Sequence, residues 1–99
     1  MQNQPPTAVI HSSPGINNDY SISYWFSGTD SSDPDGDPLT FSWTALGGIP
    51  GTSSESTCSF TWTKGATGGW RTVYLTVNDG NGGSATDMAL VWVPAVGEY

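Results

Sequence analysis

An all-β, antiparallel two-sheet β-sandwich of about seven strands is the fold this sequence predicts, and three observations predict it. Apolar residues make up only 35% of the chain, yet they gather in short runs with a period of two. Those runs are separated by turn chemistry, with 13 Gly and 7 Pro among many Ser, Thr, Asn and Asp. No apolar run repeats at helical spacing, while five Trp, four Tyr and three Phe supply more core-forming side chains than a disordered linker would. At 99 residues the chain is long enough for one such domain with a modest core.

The elements follow in order along the chain. Asn3 to Pro6 is expected to be extended, because successive prolines disfavour helix. Thr7 to His11 reads as a short first strand, and Pro14 to Asp19 as a turn-rich loop. From Tyr20 to Ser27 the alternation is clear, with Ile22, Tyr24 and Phe26 on one face and Ser21, Ser23 and Trp25 on the other. Ser31 to Pro38 is the sharpest loop. Leu39 to Thr44 alternates again and turns Leu39, Phe41 and Trp43 inward. Gly47 to Ser56 is polar and rich in Gly and Ser, Cys58 to Trp62 is a further strand, and Lys64 to Gly69 is a turn. In the strand Arg71 to Val77, Val73, Leu75 and Val77 face the core. Asn78 to Gly83 is a hairpin, since Asn, Asp and Gly tolerate the positive φ of tight turns. Ala85 to Val93 returns as the last strand. The expected organisation is a linker at residues 1–6, a sandwich at 7–94 and a C-terminal linker at 95–99.

Charge narrows the function classes. Nine acidic residues face only Lys64 and Arg71, giving a net charge of −7. Nucleic acid binding needs cations that displace counterions from phosphates, and anionic membrane surfaces need them too, so neither partner is expected. No run approaches the length of a membrane span, and membrane insertion is not expected. No basic segment followed by an apolar core marks a signal peptide. Met1 precedes the polar stretch Gln2-Asn3-Gln4-Pro5-Pro6, which reads as a linker at a domain boundary. Cys58 is the single cysteine, so no internal disulfide forms, and it reads as a small buried apolar residue.

Three phrases in order along the chain identify a kinship. Asn3-Gln4-Pro5-Pro6, then Ser31-Ser32-Asp33-Pro34-Asp35-Gly36-Asp37-Pro38-Leu39-Thr40-Phe41-Ser42-Trp43, then Leu75-Thr76-Val77-Asn78-Asp79-Gly80-Asn81-Gly82-Gly83 together resemble PKD (polycystic kidney disease) domains of the bacterial and archaeal extracellular type. The resemblance spans nearly the whole chain. It implies an immunoglobulin-like sandwich, an extracellular or cell-surface location, and neighbouring domains of a larger protein as partners. Two departures stand out. The family's Trp-Asp-Phe-Gly-Asp-Gly run is here Trp43-Thr44-Ala45-Leu46-Gly47-Gly48, and its Tyr before the penultimate strand is replaced by Arg71 beside Trp70.

The acidic loop is a candidate Ca²⁺ site. Ca²⁺ takes six to eight oxygen ligands, and Asp33 and Asp35 lie two apart in a loop bent by Pro34 and Gly36. Asp79 opens the hairpin, and in an immunoglobulin-like sandwich that hairpin shares one end with the acidic loop. The resemblance implies a ligand set of Asn3, Asp33, Asp35 and Asp79, with Asp37 and Asp30 as weaker candidates. An EF-hand does not fit: Gly36 falls at the fourth position, and Thr44 stands where the bidentate carboxylate belongs. The alternative is a solvated turn, which Asp, Pro and Gly favour without any ion.

Inward Val73, Leu75 and Val77 leave Tyr74 outward, and alternation in the last strand places Met88, Leu90 and Trp92 beside it. With Trp25 and Trp70 added, Trp25, Trp70, Tyr74, Leu90 and Trp92 form a candidate ligand-binding surface. A one-residue register slip would exchange the faces, and packing against a neighbouring domain would explain the row equally. Catalysis is not expected, because His11 and Cys58 are single and no nucleophile elbow or phosphate loop occurs. The sequence therefore points to a non-catalytic extracellular module that spaces neighbouring domains and mediates protein or cell-surface interaction, stiffened by calcium. The alternative is an accessory module docking a secreted hydrolase on insoluble polysaccharide or a collagen-like fibre.

Overall fold

The structure, a computed structural model, describes residues 4–97. Seven strands run in order: β1 (His11–Asn17), β2 (Ser21–Ser27), β3 (Thr40–Ala45), β4 (Thr52–Ser53), β5 (Thr57–Thr63), β6 (Gly69–Asn78) and β7 (Ser84–Val93). They form a three-stranded sheet ordered β1-β2-β5 and a four-stranded sheet ordered β4-β3-β6-β7, with every pairing antiparallel. The two-sheet sandwich expected from the pattern is present, and no helix occurs among the described residues.

The core forms where the inner faces of both sheets meet. Ile22, Phe26, Phe60 and Trp62 come from the smaller sheet; Trp43, Val73, Leu75, Val77, Val91 and Val93 come from the larger. Phe26 is the hub, with its ring 5.9 Å from Trp43, 5.7 Å from Phe60 and 6.3 Å from Trp62. These tilted and edge-on arrangements suit ring quadrupoles. Both buried indoles keep a partner: Trp43 Nε1 donates to the Glu55 carbonyl at 2.7 Å and Trp62 Nε1 to the Leu46 carbonyl at 3.0 Å. Tyr24 reaches across the open side of the sandwich, its hydroxyl donating to the Trp92 carbonyl while its ring meets Trp62 edge-on.

Three sequence expectations need correction. The first strand is His11–Asn17 rather than residues 7–11, so it runs through Pro14 and the segment read as a loop. β1 is an edge strand, so Pro14 can sit there without removing a hydrogen bond from the interior of the sheet. The register shifts between Pro14 and Asn17, and the Ser23 hydroxyl accepts from the Ile16 N–H at 3.0 Å there. Thr7 instead pairs with Ser32 through backbone hydrogen bonds, and Val9 and Ile10 are held by side chains, with Val9 N–H donating to Ser31 Oγ and Ile10 N–H to Asp87 Oδ2. Second, the polar stretch 47–56 contains the short strand β4. Third, Phe41 is only half buried. It still faces inward and packs against the core.

The chain runs end to end. Residues 4–7 meet the acidic loop, through Gln4 N–H to Asp35 Oδ2 at 2.7 Å and the Thr7–Ser32 bridge. The C-terminal segment meets the opposite end, where Val96 N–H bonds the Gly65 carbonyl. Between them lies the length of β6, about 33 Å for ten extended residues. The Cα envelope measures 56 × 17 × 17 Å, a rod rather than a sphere.

Lys64 closes the exit end from inside. It is buried, and its Nζ donates to Asn17 Oδ1 at 2.6 Å and to the Asn18 carbonyl at 2.7 Å. The sequence reading placed it in a turn; the burial comes from the β1–β2 turn folding over it.

Two stability changes test this architecture. Leu75→Ala should cost about 2–5 kcal/mol in urea unfolding, since a fully buried Leu leaves a cavity. A loss below about 1 kcal/mol would place that strand in the opposite register. Lys64→Met keeps the aliphatic stem and removes the charged donor, and should cost about 1.5–3 kcal/mol by the same measurement. A neutral result would mean that the turn does not depend on the ammonium.

Candidate functional site

The end of the sandwich where the chain comes in gathers carboxylates from the loop joining β2 to β3. Gly36, at φ 74°, makes the bend that turns Asp33, Asp35 and Asp37 toward one another. Each offers one carboxylate oxygen, and the three oxygens lie within 4.8 Å of one another. Asp33 Oδ2 accepts from the Asp37 N–H at 2.9 Å, which tightens the loop. Asp35 Oδ2 takes the Gln4 N–H, and Asp37 Oδ2 takes Asn81 Nδ2 at 2.9 Å. Three segments distant in sequence are therefore laced through one set of carboxylates.

A divalent cation fits this arrangement on two grounds. Ligand oxygens around Ca²⁺ stand about 2.4 Å from the ion, so the widest pair is roughly 4.8 Å apart. Asp33 Oδ1 is shielded from solvent and has no hydrogen-bond partner, an arrangement that costs free energy unless something meets it. Asp33, Asp35 and Asp37 would hold such an ion.

The other members of the expected ligand set are placed differently. Asp79 is buried, and its Oδ1 accepts from the Asn81 N–H at 2.8 Å and the Gly83 N–H at 3.0 Å, shaping the hairpin. It stands outside the group of three converging carboxylates. Asn3 lies outside the described residues. Asp37 is in the group, whereas Asp30 pairs instead with His11, Oδ2 to Nε2 at 2.7 Å. The part played by Asn81, which bridges hairpin and loop, was not apparent from sequence; its position in an Asn-Asp-Gly-Asn hairpin was the available signal.

The outer face of the larger sheet presents the apolar row expected from alternation. Register places Trp70 opposite Trp92, Thr72 opposite Leu90 and Tyr74 opposite Met88. Trp70 is 63% exposed, Leu90 55% and Trp92 41%, while Tyr74 is half buried. Trp70 and Trp92 pack edge to face with centroids 5.3 Å apart. A Cβ on Gly68 would come within 2.7 Å of the Trp92 ring, so only glycine lets that ring lie over the backbone. Trp25 does not join this surface. It lies on the outer face of the smaller sheet, opposite Ser13 and Ser59, so grouping it with the other four is corrected. The cause is topological: β2 and β6 belong to different sheets, and the outer faces of a sandwich point in opposite directions.

Cys58 packs half buried beside the core with its thiol free. Burial raises its pKa from 9.0 to about 11, partly opposed by a hydrogen bond with Ser53, so the nucleophilic thiolate is scarce at neutral pH. Burial also raises the pKa of the Tyr24 phenol.

The five indole N–H groups provide a test of the two faces. Trp43 and Trp62 should exchange their indole protons with solvent orders of magnitude more slowly than Trp25, Trp70 and Trp92, as read from ¹⁵N-resolved indole signals. Protection of Trp92 equal to that of Trp43 would overturn the outward register of β7.

Comparison with known proteins places this geometry. No curated protein and no solved structure shows significant similarity to the chain. The family model described as Bacterial Ig domain matches residues 3–92, which takes in β1 to β6 and all of β7 but its final residue. Such domains are typically non-catalytic and are commonly extracellular or surface-associated modules of larger proteins. Among the described residues no helix is long and apolar enough to cross a membrane. With its two antiparallel sheets, aromatic core and end-to-end chain path, this chain belongs to the bacterial immunoglobulin-like domain family.

Proposed function

We propose that this chain is a non-catalytic extracellular spacer that holds neighbouring domains apart, with Ca²⁺ stiffening the junction through which the chain comes in. The observation that carries this reading is the coincidence of the carboxylate group with the incoming chain. Gln4 N–H is already bonded to Asp35, one of the three residues whose carboxylates converge. An ion held by Asp33, Asp35 and Asp37 would relieve their mutual repulsion and meet the unpartnered Asp33 Oδ1. It would thereby fix residues 4–7 against the sandwich and restrict the angle at which a preceding domain is held. Asn3 and Asp79 complete the ligand set that the PKD resemblance implies, and the narrower PKD assignment belongs to this reading. The rod shape supports it as well, since the chain enters at one end of a 56 Å axis and leaves at the other.

The face around Trp70 and Trp92 supports a second role as a contact surface. It lies near the exit end, where Val96 is also exposed, and an apolar patch there is suited to packing against the following domain. Docking on an insoluble polysaccharide or collagen-like fibre is the alternative use of the same face. A pull-down with Trp92→Ala separates them: loss of binding to chitin, cellulose or collagen supports docking, and no binding by the parent chain supports packing.

Calcium is tested by melting the domain in chelator and in millimolar Ca²⁺. A ligand bound only by the folded state adds about 2.7 kcal/mol at a hundredfold excess over Kd. For a domain of this size that raises Tm by roughly 10–20 °C. Asp33→Asn should flatten the response. An unchanged melting curve in the parent chain would make the loop a solvated turn.

A further inference from the structure

We infer that Asn81, in the turn joining β6 to β7, is a site of spontaneous deamidation, and that the carboxylate it becomes unlaces this hairpin from the acidic loop. An asparagine loses ammonia when the backbone nitrogen of the next residue attacks its side-chain carbonyl carbon. The attack needs a following residue with no side chain in the way and a backbone free to rotate, which glycine supplies. It also needs a nitrogen whose N–H is not already engaged. Asn81-Gly82 is the one Asn-Gly pair in the sequence. Both residues are exposed, Gly82 has a φ of 89°, and a Cβ there would meet nothing within 4 Å. Hydrogen bonding singles out the same nitrogen. Asp79 N–H donates to the Gly83 carbonyl, Gly80 N–H to Asn78 Oδ1, and the N–H groups of Asn81 and Gly83 to Asp79 Oδ1. Among the described residues of this turn, 79–83, only Gly82 N–H has no protein partner.

The other pairs open to the same cyclisation are closed off. Asp35-Gly36 and Asp79-Gly80 could form a cyclic imide by the same attack. Gly36 N–H, however, is held by the Asp33 carbonyl at 3.0 Å and Gly80 N–H by Asn78 Oδ1 at 2.8 Å. Asn78 precedes Asp79, whose N–H is bonded to the Gly83 carbonyl at 3.0 Å, and neither Asn17 nor Asn18 precedes a glycine. At Asn81 the atoms balance simply. Gly82 N loses its proton to solvent and bonds to Asn81 Cγ, the Cγ–Nδ2 bond breaks, and Nδ2 takes up a proton and leaves as ammonia. Water then opens the five-membered imide at one carbonyl or the other, giving aspartate or isoaspartate with no change of oxidation state. The consequence follows from where this side chain sits. Asn81 Nδ2 donates to Asp37 Oδ2 at 2.9 Å, and that bond joins the hairpin to the acidic loop. A carboxylate in its place offers only acceptors, and sets a second negative charge against Asp37 in a chain already at −7. Hairpin and loop then repel where they were bonded. This inference concerns the covalent chain and stands apart from the calcium reading.

The test incubates the whole folded chain in chelator, at mildly alkaline pH and physiological temperature, beside the same chain unfolded in guanidinium. Mass spectrometry of tryptic peptides reads conversion at each asparagine, and incubation in ¹⁸O-labelled water marks each product of imide opening. Asn81 in the folded chain is expected to convert within about tenfold of its unfolded rate. It should also convert at least about tenfold faster than Asn17, Asn18 or Asn78 in the same folded sample. An Asn81 that stays intact in the folded chain, or that falls further behind its unfolded rate, overturns the site, as does faster conversion at Asn78. The consequence is read on two variants. Asn81→Ala removes the bond to Asp37, and Asn81→Asp removes it and adds the charge. At low salt and in chelator Asn81→Asp should melt below Asn81→Ala by roughly 2–4 °C, with the gap closing in about 1 M salt. An equal or higher Tm for Asn81→Asp at low salt would overturn the repulsion between hairpin and loop. Because both measurements are made in chelator, a failure here leaves the calcium result untouched.

Discussion

Two tryptophans with no access to solvent impose the main constraint on this molecule. Trp43 and Trp62 come from different sheets, and both meet Phe26 between the layers. A buried indole must also place its N–H, which otherwise loses a hydrogen bond to water. Each N–H here finds a carbonyl outside the strands: Glu55 for Trp43 and Leu46 for Trp62. The loops that supply those carbonyls are thereby tied to the core, and the packing that sets sheet separation also positions the connections. In a chain with a single cysteine and no disulfide, this aromatic cluster does the work that a covalent link between sheets performs elsewhere.

The two ends of the rod have opposite chemistry. Asp33, Asp35, Asp37 and Asp79 stand where the chain comes in, while Trp70, Trp92 and Val96 stand near where it leaves. The buried ammonium of Lys64 also lies at the exit end. Such an arrangement gives the module a direction along its axis. One end is suited to a cation and a hydrogen-bonded linker, the other to apolar contact. The faces of the two sheets differ as sharply, one apolar around Trp92 and the other hydroxyl-rich around Trp25. Four surfaces of distinct chemistry on so small a domain are possible because an all-β sandwich spends few residues on its core and leaves every outward position free to vary.

The distribution of polar contacts shows why the N-terminal segment follows the sheet without joining it. Beyond the single Thr7–Ser32 bridge, the N–H groups of Val9 and Ile10 are met by Ser31 and Asp87 side chains rather than by a neighbouring strand. Asp87 sits on the long edge strand β7, and a charged residue there, with a segment crossing beside it, discourages pairing with another chain. Tyr24 serves the same edge from the other sheet through the Trp92 carbonyl.

What the sequence by itself determined was whatever a period of two encodes. Ile22 and Phe26, Val73 to Val77, and the split of β7 into inward Val91 and Val93 against outward Leu90 and Trp92 were all legible, because adjacent residues in a strand must face opposite sides. The loop phrases were legible too, since Asp-Pro-Asp-Gly and Asn-Asp-Gly carry their turns locally. What needed the tertiary structure was every question of neighbourhood. Pro14 reads as a breaker until β1 is seen to be an edge strand. Trp25 and Trp92 share an outward direction in the sequence pattern but lie on opposite sides of the sandwich. Lys64 reads as a turn residue until the β1–β2 turn closes over its ammonium, and Asp37 rather than Asp79 joins Asp33 and Asp35. Alternation specifies which way a side chain points within its own strand. Which strands lie beside it, and what meets it across the layer, is set by long-range pairing that no local pattern contains.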